Sequence, residues 1–179
     1  PAIFSAFNRF RILTPLRKGP SGTEQLNLRI SEFMRSQHTS QHYSADKQWF
    51  VGRPVMVTQN DYRQNLFNGD IGLTLADSSG QLRVWFADQE GFRAIAPIRL
   101  PAHETAWCMT IHKSQGSEFE RVVMILPPAD SALLSRELLY TGITRAKKTL
   151  DIIATEPVLL SATGRRTERA GGLALRLWG

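Results

Sequence analysis

A single cysteine, Cys108, occurs in the 179 residues, which excludes an internal disulfide and any cysteine-rich zinc site. No apolar run approaches the ~20 residues that a membrane-spanning helix needs. The opening P-A-I-F-S-A-F-N-R-F lacks the long apolar stretch of a secretory signal. No membrane partner is therefore expected, and the chain reads as cytoplasmic. Internal repeats and low-complexity tracts are absent. There is also no Gly-Lys dipeptide, so the chain carries no G-x-x-x-x-G-K-[ST] phosphate loop.

What is present describes a packed, basic chain. At 20.1 kDa, with 42% hydrophobic and 21% charged residues, it suits one domain with a small insertion. Lys and Arg number 22 against 16 Asp and Glu, a net charge of +6. Arginine accounts for 17 of the 22. Its planar fork suits bidentate phosphate contacts, so a polyanionic partner is expected beside the plainer reading of a basic, solvated surface. The charge is uneven: 7 basic and 3 acidic groups in residues 1–50, 5 and 5 in 51–100, 1 and 3 in 101–120, and 9 and 5 in 121–179. A neutral middle between basic ends hints at an inserted module.

The pattern along the chain agrees. Arg11-Ile12-Leu13 reads as a short strand ended by Thr14-Pro15. After the turn R-K-G-P-S-G-T-E, a capping box of Ser21 and Glu24 opens a helix whose apolar face is Leu26, Ile30, Phe33 and Met34. Residues 36–48 are polar and aperiodic, a loop. Val55 and Val57, then Leu82, Val84 and Phe86, alternate as half-buried strands do, with turns at Asn68-Gly69-Asp70 and at D-S-S-G from Asp77. After Pro101 the α/β pattern returns. Strands are expected at Thr105–Ile111, Arg121–Leu126 and Thr149–Ala154, with a helix from Ser135 to about Lys148 presenting Leu138, Leu139, Gly142, Ile143 and Ala146. Gly171–Gly179 suits either a final helix or an extended tail. The expected divisions are 1–50, 51–104 and 105–179, the outer two forming one α/β domain and the middle a small β-barrel.

Three segments carry candidate chemistry. T-I-H-K-S-Q-G-S-E-F, from Thr110 to Phe119, packs hydroxyl, imidazole and ammonium donors around Gly116, at a strand end where α/β sheets bind ligands. Its plainer reading is a polar connection with a turn glycine. L-L-Y-T-G-I-T-R-A-K-K, from Leu138, places Arg145 in a half-apolar helix, where an exposed arginine paired with Asp151 is the plainer reading. L-T-P-L-R-K-G-P-S-G-T-E-Q-L-N, from Leu13, leads a strand end through a glycine-bearing loop into a helix N-terminus, a common anion-binding arrangement.

In chain order, these segments from Leu13, Thr110 and Leu138 resemble motifs IV, V and VI of superfamily 1 helicases. The block G-R-P-V-M-V-T-Q-N-D-Y-R-Q-N-L-F-N-G-D-I-G resembles the SH3-like insertion of the 5′-to-3′ branch. Essentially the whole chain resembles the C-terminal part of the RecD family, the alpha subunits of exonuclease V (RecBCD). The resemblance implies a RecA-like parallel-sheet domain, 2A, with an SH3-like barrel, 2B, inserted in it.

By the same resemblance, Thr110, His112, Lys113 and Ser114 would line the single-stranded DNA track or its coupling to ATP. Gln115, Gly116 and Glu118 would face the nucleotide, Glu118 towards ribose, and Arg17 would add a phosphate contact. Arg145 would be the arginine finger that reaches the γ-phosphate. ATP and Mg²⁺ would be held mainly by a first motor domain outside this sequence, because the phosphate loop is missing and no Asp-Glu pair is present to serve as that domain's metal-binding motif does. The chain alone would then hydrolyse no ATP. Single-stranded DNA and the RecB and RecC subunits are the implied partners. A docking module for those subunits or for an inhibitory, helicase-blocking protein is the alternative role, to which the basic tail with Arg165, Arg166, Arg169, Arg176 and Trp178 would contribute. A plain SH3-like nucleic-acid-binding domain is a third reading, opposed by the two helicase-like segments.

Overall fold

A computed structural model describes residues 1–37, 48–88 and 91–166. In chain order its elements are α1 (Ala2–Asn8), β1 (Phe10–Thr14), α2 (Thr23–Ser36), β2 (Pro54–Val57), β3 (Ile71–Ala76), β4 (Leu82–Asp88), β5 (Gly91–Ile95), β6 (His103–Thr105), β7 (Cys108–Thr110), β8 (Phe119–Ile125), α3 (Arg136–Ile143), β9 (Ala146–Ile153) and α4 (Glu156–Gly164).

β1, β7, β8 and β9 form a parallel sheet in the order β7-β1-β8-β9. β2 to β6 form an antiparallel sheet in the order β5-β4-β3-β2-β6. All five of its strands lie between α2 and β7, so this sheet is an insertion into the α/β unit. The α/β class with an inserted β unit is the one expected from the alternation of strand and helix patterns.

Each sheet has its own core. Leu13, Met109, Ile111, Val122 and Met124 from the parallel sheet and its edge meet Leu134, Leu138 and Leu139 around α3, and Val158 and Ala162 of α4. The inserted sheet closes over Trp49, Val55, Val57, Leu66, Val84, Phe86 and Ile95. The period-two pattern seen in β4 is real: Val84 and Phe86 are buried and Trp85 between them is not.

Two polar anchors tie the pieces together. Asn27 of α2 donates its amide to the Cys108 carbonyl at 2.9 Å and accepts from the Cys108 N–H at 2.8 Å. The side chain thus satisfies a backbone donor and acceptor at the outer edge of β7, which a strand would otherwise need to pair. Arg11, 1% exposed, donates to the Ala106 carbonyl at 3.1 Å and lies 4.1 Å from the Phe7 ring centroid and 4.9 Å from that of Phe119. Burial lowers its pKa to about 10, which still leaves it charged at neutral pH. The neighbouring Cys108 thiol is pushed up to about 12 by burial and is inert as a nucleophile.

Several local expectations change. The Ser21–Glu24 capping box does not form: Gly22 is the N-cap of α2, with no side-chain cap, and Glu24 pairs with Arg17 at 3.2 Å instead. At Gly22 an added Cβ would lie 2.5 Å from the Lys18 carbonyl oxygen, so the tight turn excludes a side chain there. On α2, Leu26, Ile30 and Met34 face inward, but Phe33 is 63% exposed. The expected strand Thr105–Ile111 is two strands, because the chain leaves the inserted sheet at Thr105 and enters the parallel sheet at Cys108. Ser135 does cap α3, accepting from the Leu138 N–H at 3.2 Å. The helix ends at Ile143 rather than Lys148, since Ala146–Ile153 pairs with β8 from Phe119↔Ala146 to Ile125↔Ile153. α1 and α4 form without a strong sequence signal. The segments 38–47 and 167–179, which include most of the expected loop, the tail's Arg169, Arg176 and Trp178, and Gly171–Gly179, lie outside the described residues.

Candidate nucleotide and nucleic-acid interface

The T-I-H-K segment is not confined to one end of the sheet. β7 and β8 both run parallel to β1, so the chain must return from the carboxyl edge, where Thr110 pairs with Thr14, to the amino edge, where Phe119 pairs with Ala146. Residues 111–118 make that return through a 3-10 turn at His112–Ser114. Seven residues of β8 separate the two edges, roughly 20 Å at ~3.3 Å per residue. Gly116, with φ of +82° and open space about its missing Cβ, makes the reversal that an L side chain resists.

The carboxyl edge gathers cations around one acid. The Lys113 ammonium lies 2.8 Å from a Glu104 oxygen, and Arg17 lies 3.5 Å from the other. Arg17 also pairs with Glu24 at 3.2 Å. Thr110 Oγ1 accepts from the Lys113 N–H at 3.3 Å, which shapes the turn. His112 is exposed and, with Gln115, lines a cleft of ≈ 500 Å³ against the first turn of α3 and Arg165. Ser114 departs from its expected place on a DNA track. It is fully buried, and its hydroxyl donates to the Ile111 carbonyl at 2.7 Å, so it holds the turn together.

The amino edge holds Arg145. The guanidinium does not pair with Asp151, which is taken by Arg121 at 2.8 Å. Its Nε donates to the Thr141 carbonyl at 3.1 Å, one terminal nitrogen to the Ser117 carbonyl at 3.0 Å and the other to Thr144 Oγ1 at 3.1 Å. No described carboxylate neutralises it. Of five guanidinium N–H groups, two remain, one on each terminal nitrogen. Glu118, beside it in the chain, pairs with Lys147 at 3.1 Å. The structure therefore brings Arg145 to the Ser117–Glu118 end of the segment, while Gln115 stays with His112 in the cleft beside α3. Arg17, expected with the nucleotide set, stands instead with Lys113 at the opposite edge, because it follows the carboxyl end of β1.

Sequence reasoning missed Glu104, an unremarkable acid at the end of the insertion, and the Asp130–Arg165 pair at 2.6 Å. Hydrogen bonds from Arg165, then Ser161, hold the Asp130 carboxyl down to about 2. Neither has a local signal, since each partner comes from a distant segment.

Two family models match the chain. Residues 105–153 match the UvrD-like helicase C-terminal domain, and residues 26–86 match the ATP-dependent RecD-like DNA helicase SH3 domain. The RecBCD enzyme subunit RecD of Haemophilus influenzae is 44% identical over 172 residues, covering 96% of this chain and 26% of the relative. The RecD subunit of Mycobacterium tuberculosis is 39% identical over 173 residues, covering 97% of this chain and 29% of its own length. A crystal structure of Pif1 helicase from Bacteroides in complex with ADP-AlF3 and ssDNA superposes with a TM-score of 0.50 at 17% identity, over 86% of this chain and 44% of that one, a likeness of fold. Over nearly its whole length the chain corresponds to the C-terminal region of RecD-like helicases. It spans between a quarter and a third of the curated relatives' length, 26% and 29% of these two.

Proposed function

We propose that the chain is the second motor domain, 2A with 2B inserted as residues 51–104, of an ATP-dependent 5′-to-3′ DNA helicase. In this reading it works in double-strand break repair and recombination within an exonuclease V assembly, with RecB- and RecC-type subunits as partners. The observation that carries the proposal is Arg145. Its guanidinium is oriented by two main-chain carbonyls and a hydroxyl, has no described acid to neutralise it, and keeps two N–H groups uncommitted. That is the arrangement a group needs if it is to meet the charge of a transferring phosphoryl without first breaking an ion pair.

The amino edge, with Gly116, Glu118 and Arg145, and Gln115 in the cleft along α3 then form one wall of an ATP cleft. The phosphate loop comes from outside this chain, which has no Gly-Lys dipeptide. Magnesium, when bound, offsets phosphate charge. Among the described residues no group of three His, Cys, Asp or Glu side chains is placed to hold it, so this chain assigns no step to the metal. The carboxyl edge, with Thr110, His112, Lys113 and Arg17, faces single-stranded DNA. Residues 111–118 join the two edges, so closure on nucleotide at one is transmitted to the grip on phosphate at the other.

The test uses the full-length helicase with any second motor of its assembly disabled. Arg145→Ala is expected to lower DNA-stimulated ATP hydrolysis by ~10³–10⁵, with nucleotide binding largely kept. Near-normal turnover would overturn the assignment. The docking-module reading finds support in Phe33 and Leu28, 63% and 48% exposed on α2. It predicts that Phe33→Ser weakens co-purification with the other subunits while ATP hydrolysis by the separated protein is unchanged.

A further inference from the structure

Glu104 belongs to β6, the strand by which the inserted sheet returns to the motor domain, yet both of its carboxylate oxygens point into the cation group at the carboxyl edge. One is 2.8 Å from the Lys113 ammonium and the other 3.5 Å from the Arg17 guanidinium. The Glu104 side chain is 29% exposed and that of Lys113 is 35% exposed, so the pair sits at the rim of the domain where a large anion can reach it. Lys113 has no other ion-pair partner among the described residues, whereas Arg17 retains Glu24.

A carboxylate and a phosphodiester offer the same two features to these cations, a single negative charge and two oxygens that accept N⁺–H hydrogen bonds. They cannot both hold Lys113 at contact distance without placing two anions side by side, which is unfavourable. We infer that Glu104 is a resident stand-in for a nucleic-acid phosphate. It positions Lys113 and Arg17 as a two-cation clamp when the edge is empty, and it must be displaced for a backbone phosphate to bind there. Because Glu104 is carried by the inserted sheet, that exchange also loosens an ion pair between the insertion and the motor domain. Phosphate binding at this edge is thereby linked to how firmly the insertion is held. The inference rests on the reading of this edge as the nucleic-acid face and assigns it a residue that sets its affinity.

Three full-length variants, titrated with labelled oligo(dT) across a salt series, separate the possibilities. Glu104→Gln keeps the shape and removes the competing charge. It is expected to tighten binding about two- to five-fold at low salt, the range of a part-exposed ion pair. It is also expected to steepen the log–log salt dependence by up to roughly 0.7, one further effective phosphate contact on a single strand. Lys113→Ala is expected to weaken binding and flatten the slope by a similar amount. In the Glu104→Gln/Lys113→Ala double variant the gain from the first change is expected to shrink to what Arg17 alone can supply. Unchanged or weaker binding by Glu104→Gln, with Lys113→Ala still weakened, would overturn the stand-in role and leave the edge as the nucleic-acid face. Unchanged binding by Lys113→Ala would instead overturn the nucleic-acid reading itself. A purely structural Glu104 would lower the melting temperature in Glu104→Gln and leave the salt slope where it was.

Discussion

Arg145 and Ser117 are joined across the amino edge of the parallel sheet by a 3.0 Å hydrogen bond from a guanidinium nitrogen to a main-chain carbonyl. That bond fixes the one unneutralised arginine of the α3–β9 turn against the far end of the segment that begins at Thr110. It also separates two effects of substitution. Arg145→Lys keeps the charge and loses the fork, so it cannot hold Ser117 and Thr141 while presenting N–H groups outward. In the full-length helicase we expect ATP hydrolysis by Arg145→Lys to remain nearer to Arg145→Ala than to the parent. Unfolding should show a stability loss of only about 1–2 kcal/mol, since the bonded carbonyls are near the surface and water replaces the donors. A lysine variant with parental turnover would show that charge alone suffices.

Asn27 is the hinge pin between α2 and β7. Asn27→Ala leaves both the N–H and the carbonyl of Cys108 buried without partners. The expected cost is about 2–4 kcal/mol, two unsatisfied backbone groups, read from a chemical-denaturation midpoint at constant m-value. Asn27→Asp should be no better. It can still accept from the Cys108 N–H, but it sets a carboxylate oxygen against the Cys108 carbonyl.

Gly142 lets α3 approach β8. A Cβ there would meet Met124 Sδ at 2.7 Å and Ile111 Cδ1 at 3.4 Å. Gly142→Ala is expected to cost about 1–3 kcal/mol through overpacking and, on the proposed function, to reduce ATP hydrolysis by the full-length protein, because Ile111 opens the proposed Thr110–Glu118 site segment. Shortening the obstacle with Met124→Val should recover part of the stability in the double variant; equal losses in the single and double variants would exclude this contact as the cause.

The Asp130–Arg165 pair makes a pH-dependent contribution. The Asp130 carboxyl is held at about 2, below its ordinary 3.8, by hydrogen bonds from Arg165 and Ser161. A depressed carboxylate stabilises the fold above its unfolded value, and that stabilisation disappears as pH falls through the folded value. Asp130→Asn should therefore melt below the parent at pH 6, and the gap should close between about pH 4 and pH 2. A gap that stays constant across that window would mean the pair contributes through packing alone.

Local chemistry made much of this protein legible in sequence. The Ser135 cap works because, at a helix start, the N-cap hydroxyl lies within reach of the N–H three residues on. The alternation of Val84 and Phe86 announces a half-buried strand wherever that strand is placed. The density of donors between Thr110 and Glu118 marks a candidate functional loop before any fold is known. The split of the parallel domain by a β insertion shows in the change of hydrophobic period and of charge.

What tertiary structure decided are the pairings between distant segments. Ala146–Lys148 has a sequence that suits a helix, but hydrogen bonding to β8 draws it into β9 and leaves Arg145 in a turn. Asp151 is near Arg145 in the chain and is nevertheless bound to Arg121, because parallel pairing sets Arg121 beside Thr149 and Val123 beside Asp151. Arg17 and Lys113 meet at Glu104 because β1 and β7 lie side by side and Glu104, in β6, reaches the loops that follow both. Charge attracts without regard to sequence distance, and a side chain's partner is whichever opposite charge the sheet order brings within reach. Composition and spacing determine which residues are able to act at this site; the register of the parallel strands decides which of them act together.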